Sequence, residues 1–410
     1  MTGPAVTPAL VRALYRQHLG REAESEEAVA GHVARHGSLD ALIATIAGSD
    51  EARERQRRSA AAARMQAWRR RSGFPPGARR ILLFGAYGNG NLGDAAQAEA
   101  VAALLQQAAG VPLHLHAVSW IDAAPDYPFD PASRLPAEAI TAPDTLRLYD
   151  LLVIGGGGLF GAVHHPLLDP EWHAVLAGLP LPYALVGVGA DSMLPKEPQL
   201  GPHWDGLRAG AAFLSGRDLA SLSAMPEAHW LADPVLLAWL RAGRGTPRPP
   251  RPGARPLCIV KHAQDAAEAQ FLDQVAALGS DCDVAAIEPC REQHLAARWP
   301  GIRFVTDWAE LEALCAAASV VVSARYHGCI AGLLAGVPCL AAAVGKTWVL
   351  FDTLGQADRF IPAGRDLRPY LENPPPPLAG DSFRPMLQAG EMALHQLGAL
   401  LRDLPLRAGA

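Results

Sequence analysis

The sequence predicts an α/β protein in which two Rossmann-like domains face each other across a cleft, preceded by a small α-helical module. Three observations carry this. From Arg80 onward, short apolar runs bounded by Gly, Pro or Asp alternate with helical patterns, the signature of βαβ units on parallel sheets. A stiff segment at 245–256, with Pro247, Pro249, Pro250, Pro252 and Pro256, divides those runs into two sets. The first 56 residues, by contrast, show helical spacing and no strand alternation.

In chain order, residues 1–56 form the helical module. Val11, Leu14, Tyr15 and Leu19 recur at helical spacing until Gly20 interrupts, and Leu39, Leu42, Ile43 and Ile46 mark a second amphipathic helix started by Ser38 or Asp40. Residues 57–79 read as an exposed linking helix. Arg57, Arg58, Arg64, Arg69, Arg70 and Arg71 continue a basic run begun at Arg53 and Arg55, and Gly73-Phe74-Pro75-Pro76 ends it. A basic helix of this kind either lies on anionic lipid or serves as a solvated spacer. Residues 80–244 hold the first Rossmann-like domain, with strands expected at Ile81–Phe84, Leu113–Val118, Leu151–Ile154, Ala184–Val188 and Ala211–Leu214. Residues 257–410 hold the second, with strands at Leu257–Val260, Asp283–Ile287, Ile302–Val305, Ser319–Val322 and Cys339–Val344, and a C-terminal helix.

Composition narrows the function. A length of 410 residues is enough for two or three domains with real cores. The net charge of −5 supplies no basic field for nucleic acid. None of the six cysteines forms a C-x-x-C pair and several sit in apolar runs, which fits small buried hydrophobes in a reducing compartment. The first residues lack a charged start followed by an apolar core, and no apolar run reaches the ~20 residues needed to span a bilayer. A cytoplasmic protein is expected, with peripheral contact at the inner face of the membrane through the Arg-rich linker as the variant.

The chemistry gathers where strands end and helices begin, the edge at which open α/β sheets bind ligands and where free helix N–H groups favour anions. Ser323-Ala324-Arg325-Tyr326-His327-Gly328 sets a guanidinium and an imidazole at one such edge. Ser215-Gly216-Arg217-Asp218 sets another cation, with Asp218 placed to orient Arg217 or to cap the helix that follows. Lys346 comes after Ala341–Val344 and Gly345. Arg217, Arg325 and Lys346 suit a small, highly anionic substrate. No acidic or histidine cluster at a strand end has metal-ligand spacing; His164, His165 and His173 lack carboxylate partners, and no metal is expected.

Two glycine loops remain. Gly88-Asn89-Gly90-Asn91-Leu92-Gly93 satisfies the dinucleotide fingerprint G-x-G-x-x-G. Against a dinucleotide, the loop is displaced beyond Gly85-Ala86-Tyr87, and Asp94 stands where a carboxylate would repel a pyrophosphate. The acid expected about 20 residues on is also missing, since Asp122 comes late. Asn91 and Asp94 suit hydrogen bonds to sugar hydroxyls, with a plain helix cap as the alternative for Asp94. Gly155-Gly156-Gly157-Gly158 permits close approach of a ligand without specifying one.

Taken together, Gly85–Asp94, Asp150–Gly157, Gly187-Val188-Gly189, Ser215–Asp218, Ala232-Asp233-Pro234, Ser323–His327, Gly336-Val337-Pro338 and Lys346 resemble the polysaccharide pyruvyl transferase family over roughly residues 80 to 360. The N-terminal fifty residues resemble a small helical module of unknown function. The resemblance implies a GT-B arrangement of the two domains, with no cofactor. It also implies transfer of the enolpyruvyl unit of phosphoenolpyruvate onto two hydroxyls of one sugar, in an exopolysaccharide or cell-envelope precursor such as a lipid-linked oligosaccharide. On this resemblance Arg217 and Arg325 hold the donor, with Gly328 and Lys346 beside them, and His327 is the catalytic acid. Asn91, Gly93, Asp94, Gly156 and Gly157 then face the acceptor. The chain departs from the family at Val344-Gly345-Lys346, where an aromatic residue and an acid usually precede the lysine. Two rivals stand beside this reading: a nucleotide-sugar glycosyltransferase that reads the ribose with Glu288 or Asp307, and a non-catalytic protein of the same fold.

Overall fold

The computed structural model describes residues 6–53, 55–56, 59, 63, 65–66, 73–119, 129, 133–135, 139–140, 142–159, 181–189, 201–249 and 251–405. The chain forms two compact units, residues 1–72 and 73–410. His164, His165 and His173 lie outside the described residues, as do Arg57, Arg58, Arg64, Arg69, Arg70 and Arg71 of the basic run.

The described residues of the first unit form three short α-helices, Pro8–Leu14, Glu26–Arg35 and Leu39–Ala47, before turning helical again at Asp50. Each begins the same way: Thr7, Ser25 and Ser38 turn a side-chain oxygen back to a free backbone N–H three residues on, at 3.2–3.3 Å. The Glu26 helix is an element that apolar spacing did not reveal, because only Val29 of it is buried. Where the spacing predicts one helix through Leu19, the chain passes at Tyr15–Leu19 into a π-type turn and stops at Gly20, whose φ of 71° suits glycine. Val11, Leu14, Tyr15, Val29, Leu42 and Ile46 form a core. Of the basic run, Arg53 pairs with Asp50 at 2.7 Å, and Arg55 donates to the carbonyls of Arg16 and Gln17.

In the second unit, a seven-stranded sheet is built from β1 (Arg79–Gly85), β2 (Leu113–Ser119), β3 (Arg134–Leu135), β4 (Leu151–Gly157), β5 (Tyr183–Val188), β6 (Phe213–Gly216) and β7 (His229–Trp230). The second sheet holds β8 (Leu257–Val260), β9 (Asp283–Ala286), β10 (Arg303–Phe304), β11 (Val321–Ser323), β12 (Cys339–Ala342) and β13 (Phe360–Ile361). Their orders are β3-β2-β1-β4-β5-β6-β7 and β10-β9-β8-β11-β12-β13, with parallel pairing. The inner strands read as unbroken apolar runs because helices cover both faces; Ile81, Leu82, Leu83 and Phe84 are wholly buried.

Each sheet reverses strand order once, between β1 and β4 and between β8 and β11. Those are the crevices where such sheets bind ligands. The loops after β1, β4, β8 and β11 carry Asn89, Gly158, Lys261 and Arg325, so both switch points feed one place. The expected two Rossmann-like domains across a cleft are present. The helix after β11 runs from Tyr326 to Leu334. Gly328 within it is a packing glycine: a Cβ there would lie 2.3 Å from Ser323 Oγ. No helix among the described residues is long and apolar enough to cross a membrane.

The last helix, Gly380–Asp403, returns to the first half. Phe383, Met386, Leu394, Leu397 and Leu401 are buried in the core shared with the helix Leu92–Ala109. Gly398 lets the backbones approach, since a Cβ would fall 2.3 Å from Ala108 O. Arg79 Nη2 donates to the Arg402 carbonyl at 2.8 Å.

Candidate active site

At the meeting of the two switch points lies a cleft of about 330 Å³. Its walls carry Arg217, Lys261, Arg291, Arg325 and Lys346 against the two carboxylates Asp94 and Glu288. The first half adds Asn89, Asn91 and Leu159, and the second adds His262, Gln264, Tyr326 and His327.

Arg217 leaves the end of β6 and runs over glycine. A Cβ on Gly189 would lie 2.6 Å from its Nε, so only glycine admits the guanidinium there. The side chain is 3% exposed, Nε donates to Asp218 Oδ2 at 3.1 Å, and Cζ stands 4.3 Å from the centre of the Tyr326 ring. Asp218 performs both of the roles the sequence allows: its other oxygen accepts from the N–H and hydroxyl of Ser221, capping the helix Leu219–Ala224.

Arg325 sits between two carboxylates. Nε donates to Glu292 Oε1 at 3.1 Å, while Nη2 meets Glu292 and lies 2.6 Å from Glu288 Oε2. Glu288 also pairs with Arg291 at 3.2 Å. Its carboxylate is therefore committed to arginines, and Asp307, the other acid considered for a ribose, caps the helix Trp308–Ala317 through Glu310 N–H. His262, Glu288 and Glu292 bring ligand atoms within 4.8 Å of one another, a set with cation-binding chemistry that strand-end spacing had missed. The guanidinium of Arg325 is the cation bridging its two acids.

His327 lies on the first turn of the helix Tyr326–Leu334 and presses against the glycine loop of the other half. A Cβ on Gly93 would lie 2.0 Å from its Nδ1. Its Nε2 is 2.9 Å from Gln97 Nε2 and 3.8 Å from Asp233 Oδ2. Burial, then the charges of Arg217, Lys346 and Arg325, hold the imidazole far below its ordinary value of 6.5, so the ring is neutral at pH 7. Burial raises the Asp233 carboxyl to about 6 despite Arg217 and the hydrogen bonds it accepts.

The glycine loop is tied internally. Asn91, not Asp94, caps the helix Leu92–Ala109, accepting from Gly93 N–H at 3.0 Å. Asp94 stands in the first turn, where its carboxylate accepts from Asn89 Nδ2 at 2.7 Å and faces the cleft. Burial raises its pKa, with Asn89 and Lys346 opposing. This corrects the cap reading of Asp94: Asn91 precedes the first helical residue and leaves Asp94 to the ligand side.

Of the residues singled out in the sequence, Asn91, Asp94, Arg217, Arg325, His327 and Lys346 line the cleft together. The glycines do different work. Gly93 makes room for His327, Gly328 for Ser323, and Gly156, at φ 54°, for Gln97, whose Oε1 a Cβ would approach to 2.2 Å. Gly157 has its absent Cβ 3.5 Å from Asp94 Oδ1. Sequence reasoning missed Lys261, His262, Gln264, Arg291 and Gln97, and quoted Asp233 in its motif without giving it a role. Lys261 carried the available signal, a cation directly after an apolar strand, yet it is 7% exposed and paired with Glu268 at 2.5 Å.

Several solved structures are similar in chain path. UDP-GlcNAc 2-epimerase from Methanocaldococcus jannaschii matches 80% of this chain and 99% of its own at 11% identity and a TM-score of 0.45. Anabaena Alr3699/HepE in complex with UDP-glucose matches 79% and 95% at 11% identity and a TM-score of 0.47. UDP-GlcNAc 2-epimerase from Neisseria meningitidis bound to UDP-GlcNAc matches 78% and 99% at 10% identity and a TM-score of 0.43. No curated protein matches the chain. The profile of the polysaccharide pyruvyl transferases covers residues 91–345, from the capping asparagine through His327 to the loop before Lys346, which is more than half of the chain. The protein belongs to the polysaccharide pyruvyl transferase family, and with it to the transferases.

Proposed function

We propose that the cleft transfers pyruvate from phosphoenolpyruvate to two hydroxyls of one sugar as a cyclic ketal. The observation that carries this reading is the buried neutral His327 held in the field of Arg217, Lys346 and Arg325. A donor with a phosphate and a carboxylate belongs in such a field, and its vinyl carbon needs a proton from a group beside it. Asp218, Glu268 and Glu292 bind the cations Arg217, Lys261 and Arg325. These pairs fix the direction in which each cation points.

The steps balance as follows. His327, which takes up a proton as the anionic donor offsets the surrounding cations, passes that proton to the methylene carbon of the donor and returns to the neutral ring, leaving the adjacent carbon electrophilic. One sugar hydroxyl adds there and gives up its proton, for which Asp94, with its raised pKa, is the nearest base on the acceptor wall. The second hydroxyl then displaces phosphate, its proton departing with that group. Asn89, Asn91 and Asp94 supply hydrogen bonds suited to an acceptor sugar. The product is an acidic sugar ketal, which suits the precursor of an exopolysaccharide or envelope glycan.

The experiment is donor choice. Purified protein is incubated with phosphoenolpyruvate or UDP-glucose and candidate sugar acceptors, with phosphate release and thermal shift as readouts. Phosphate release from phosphoenolpyruvate, dependent on acceptor, is expected. A thermal shift with UDP-glucose and none with phosphoenolpyruvate would move the protein to nucleotide-sugar chemistry.

A further inference from the structure

We propose that Gln97 and Asp233 form a positioning chain that fixes which nitrogen of His327 carries its proton. This rests on the reading of His327 as the proton donor. Gln97 is wholly buried and Asp233 1% exposed. Neither lines the cleft, yet they meet His327 in sequence: Gln97 Nε2 lies 2.5 Å from Asp233 Oδ2 and 2.9 Å from His327 Nε2.

The direction of these bonds follows from what each group can do. An ionised carboxylate only accepts, so the Gln97 amide turns its NH₂ toward Asp233. One amide hydrogen goes to Asp233 and the other points at His327 Nε2, which must then be the unprotonated nitrogen. The single proton of the neutral ring sits on Nδ1, over Gly93. Asp233 is itself fixed, because its other oxygen accepts from Val235 N–H at 3.0 Å and Leu236 N–H at 3.4 Å and caps the helix Pro234–Arg241.

Two further observations belong to the same chain. Gln97 Oε1 is buried without a hydrogen-bond partner among the described residues, so the amide makes both of its contacts through its NH₂. The loop opposite is glycine at 156, in the left-handed region, where any side chain would collide with that oxygen. Both fit an amide whose orientation is dictated from the Asp233 end.

The test reverses the polarity of the chain. Asp233→Asn keeps a helix-capping side chain but offers Gln97 an NH₂ in place of an oxygen. The Gln97 amide must then turn, present Oε1 to both neighbours, and hold the ring proton on Nε2. We expect ¹⁵N histidine spectra, assigned by the signal missing in His327→Gln, to show Nδ1–H in the wild type and Nε2–H in Asp233→Asn. Turnover should fall by about a hundredfold or more, the scale of a misplaced proton donor. KM for phosphoenolpyruvate should stay within about threefold. Gln97→Met, which removes both hydrogen bonds at similar volume, should leave a mixture of tautomers and lower kcat in the same way.

The spectra do not depend on turnover, so they judge the positioning chain even if the donor is another molecule. An Nε2–H signal in the wild type overturns the proposal. So does an unchanged tautomer in a folded Asp233→Asn, or in Gln97→Met should the first variant not fold.

Discussion

At the scale of single residues, the proposed reaction divides the site into groups that bind charge and one that moves a proton. His327→Ala should abolish turnover while donor affinity stays within several-fold of wild type. Arg217→Ala should weaken donor binding by about 1.5–3 kcal/mol, the value of a charged hydrogen bond, read by calorimetry. Donor binding should also take up protons. The His327 pKa is lowered first by burial, which persists in the complex, and then by three cations whose field the donor's negative charge offsets. The pKa therefore rises on binding, and affinity should strengthen as pH falls below the free imidazole value of 6.5, where the bound ring takes up its proton before the free one does. Calorimetry in buffers of different ionisation enthalpy measures the uptake; none below pH 6.5 would sink this account. His327 and the two arginines were legible because cations after strands announce themselves in sequence. Gln97 and Asp233 were not, since a helical glutamine and an Asp-Pro turn have many uses and only the fold brings them to the imidazole.

At the scale of elements, the glycine loop and the Tyr326 helix act as one part. Gly93→Ala would set a methyl group 2.0 Å from His327 Nδ1, and the Tyr326 helix is packed too tightly to retreat. A loss of kcat comparable to that of His327→Ala is expected, together with a fall in thermal stability from overpacking of about 1–3 kcal/mol. Wild-type turnover in Gly93→Ala would show that the ring sits elsewhere. The loop–helix motif alone suggested a nucleotide, and the reason it misleads is physical: its third glycine is spent on a histidine from the other domain. The elements carrying Glu288 and Glu292 bear on metal dependence. Their two carboxylates are bridged by Arg325, so chelation should leave turnover intact. Activity lost on chelation and restored by Mg²⁺ or Mn²⁺ would place an ion in the cluster of His262, Glu288 and Glu292. The strands themselves were readable almost throughout, as buried parallel strands leave unbroken apolar runs. Of the two-residue edge strands, β10 was read within Ile302–Val305, while β3, β7 and β13 had too few residues to leave a pattern.

At the scale of the whole molecule, residues 1–72 form a compact unit with its own small core, and every residue of the cleft lies beyond Arg80. Deletion of residues 1–72 should leave turnover on a soluble acceptor near the wild-type value. The same deletion should reduce co-sedimentation with anionic liposomes, where each basic residue near the surface contributes about 1 kcal/mol. Turnover lost together with folding would show that the segment belongs to the catalytic unit. The return of the last helix to the first half has a consequence for how the protein is made. Translation delivers residues at about 5–20 per second, so the first sheet is out long before Gly380 is synthesised. Until then the helix Leu92–Ala109 keeps bare the face that Leu394, Leu397 and Leu401 will cover. Five large apolar side chains at roughly 1.5–3 kcal/mol each, near the entire stability of a typical domain, arrive only after both sheets have been made. A chain cut short before Gly380 would leave the ribosome with an open core, and the cell's quality control would meet it as unfinished protein.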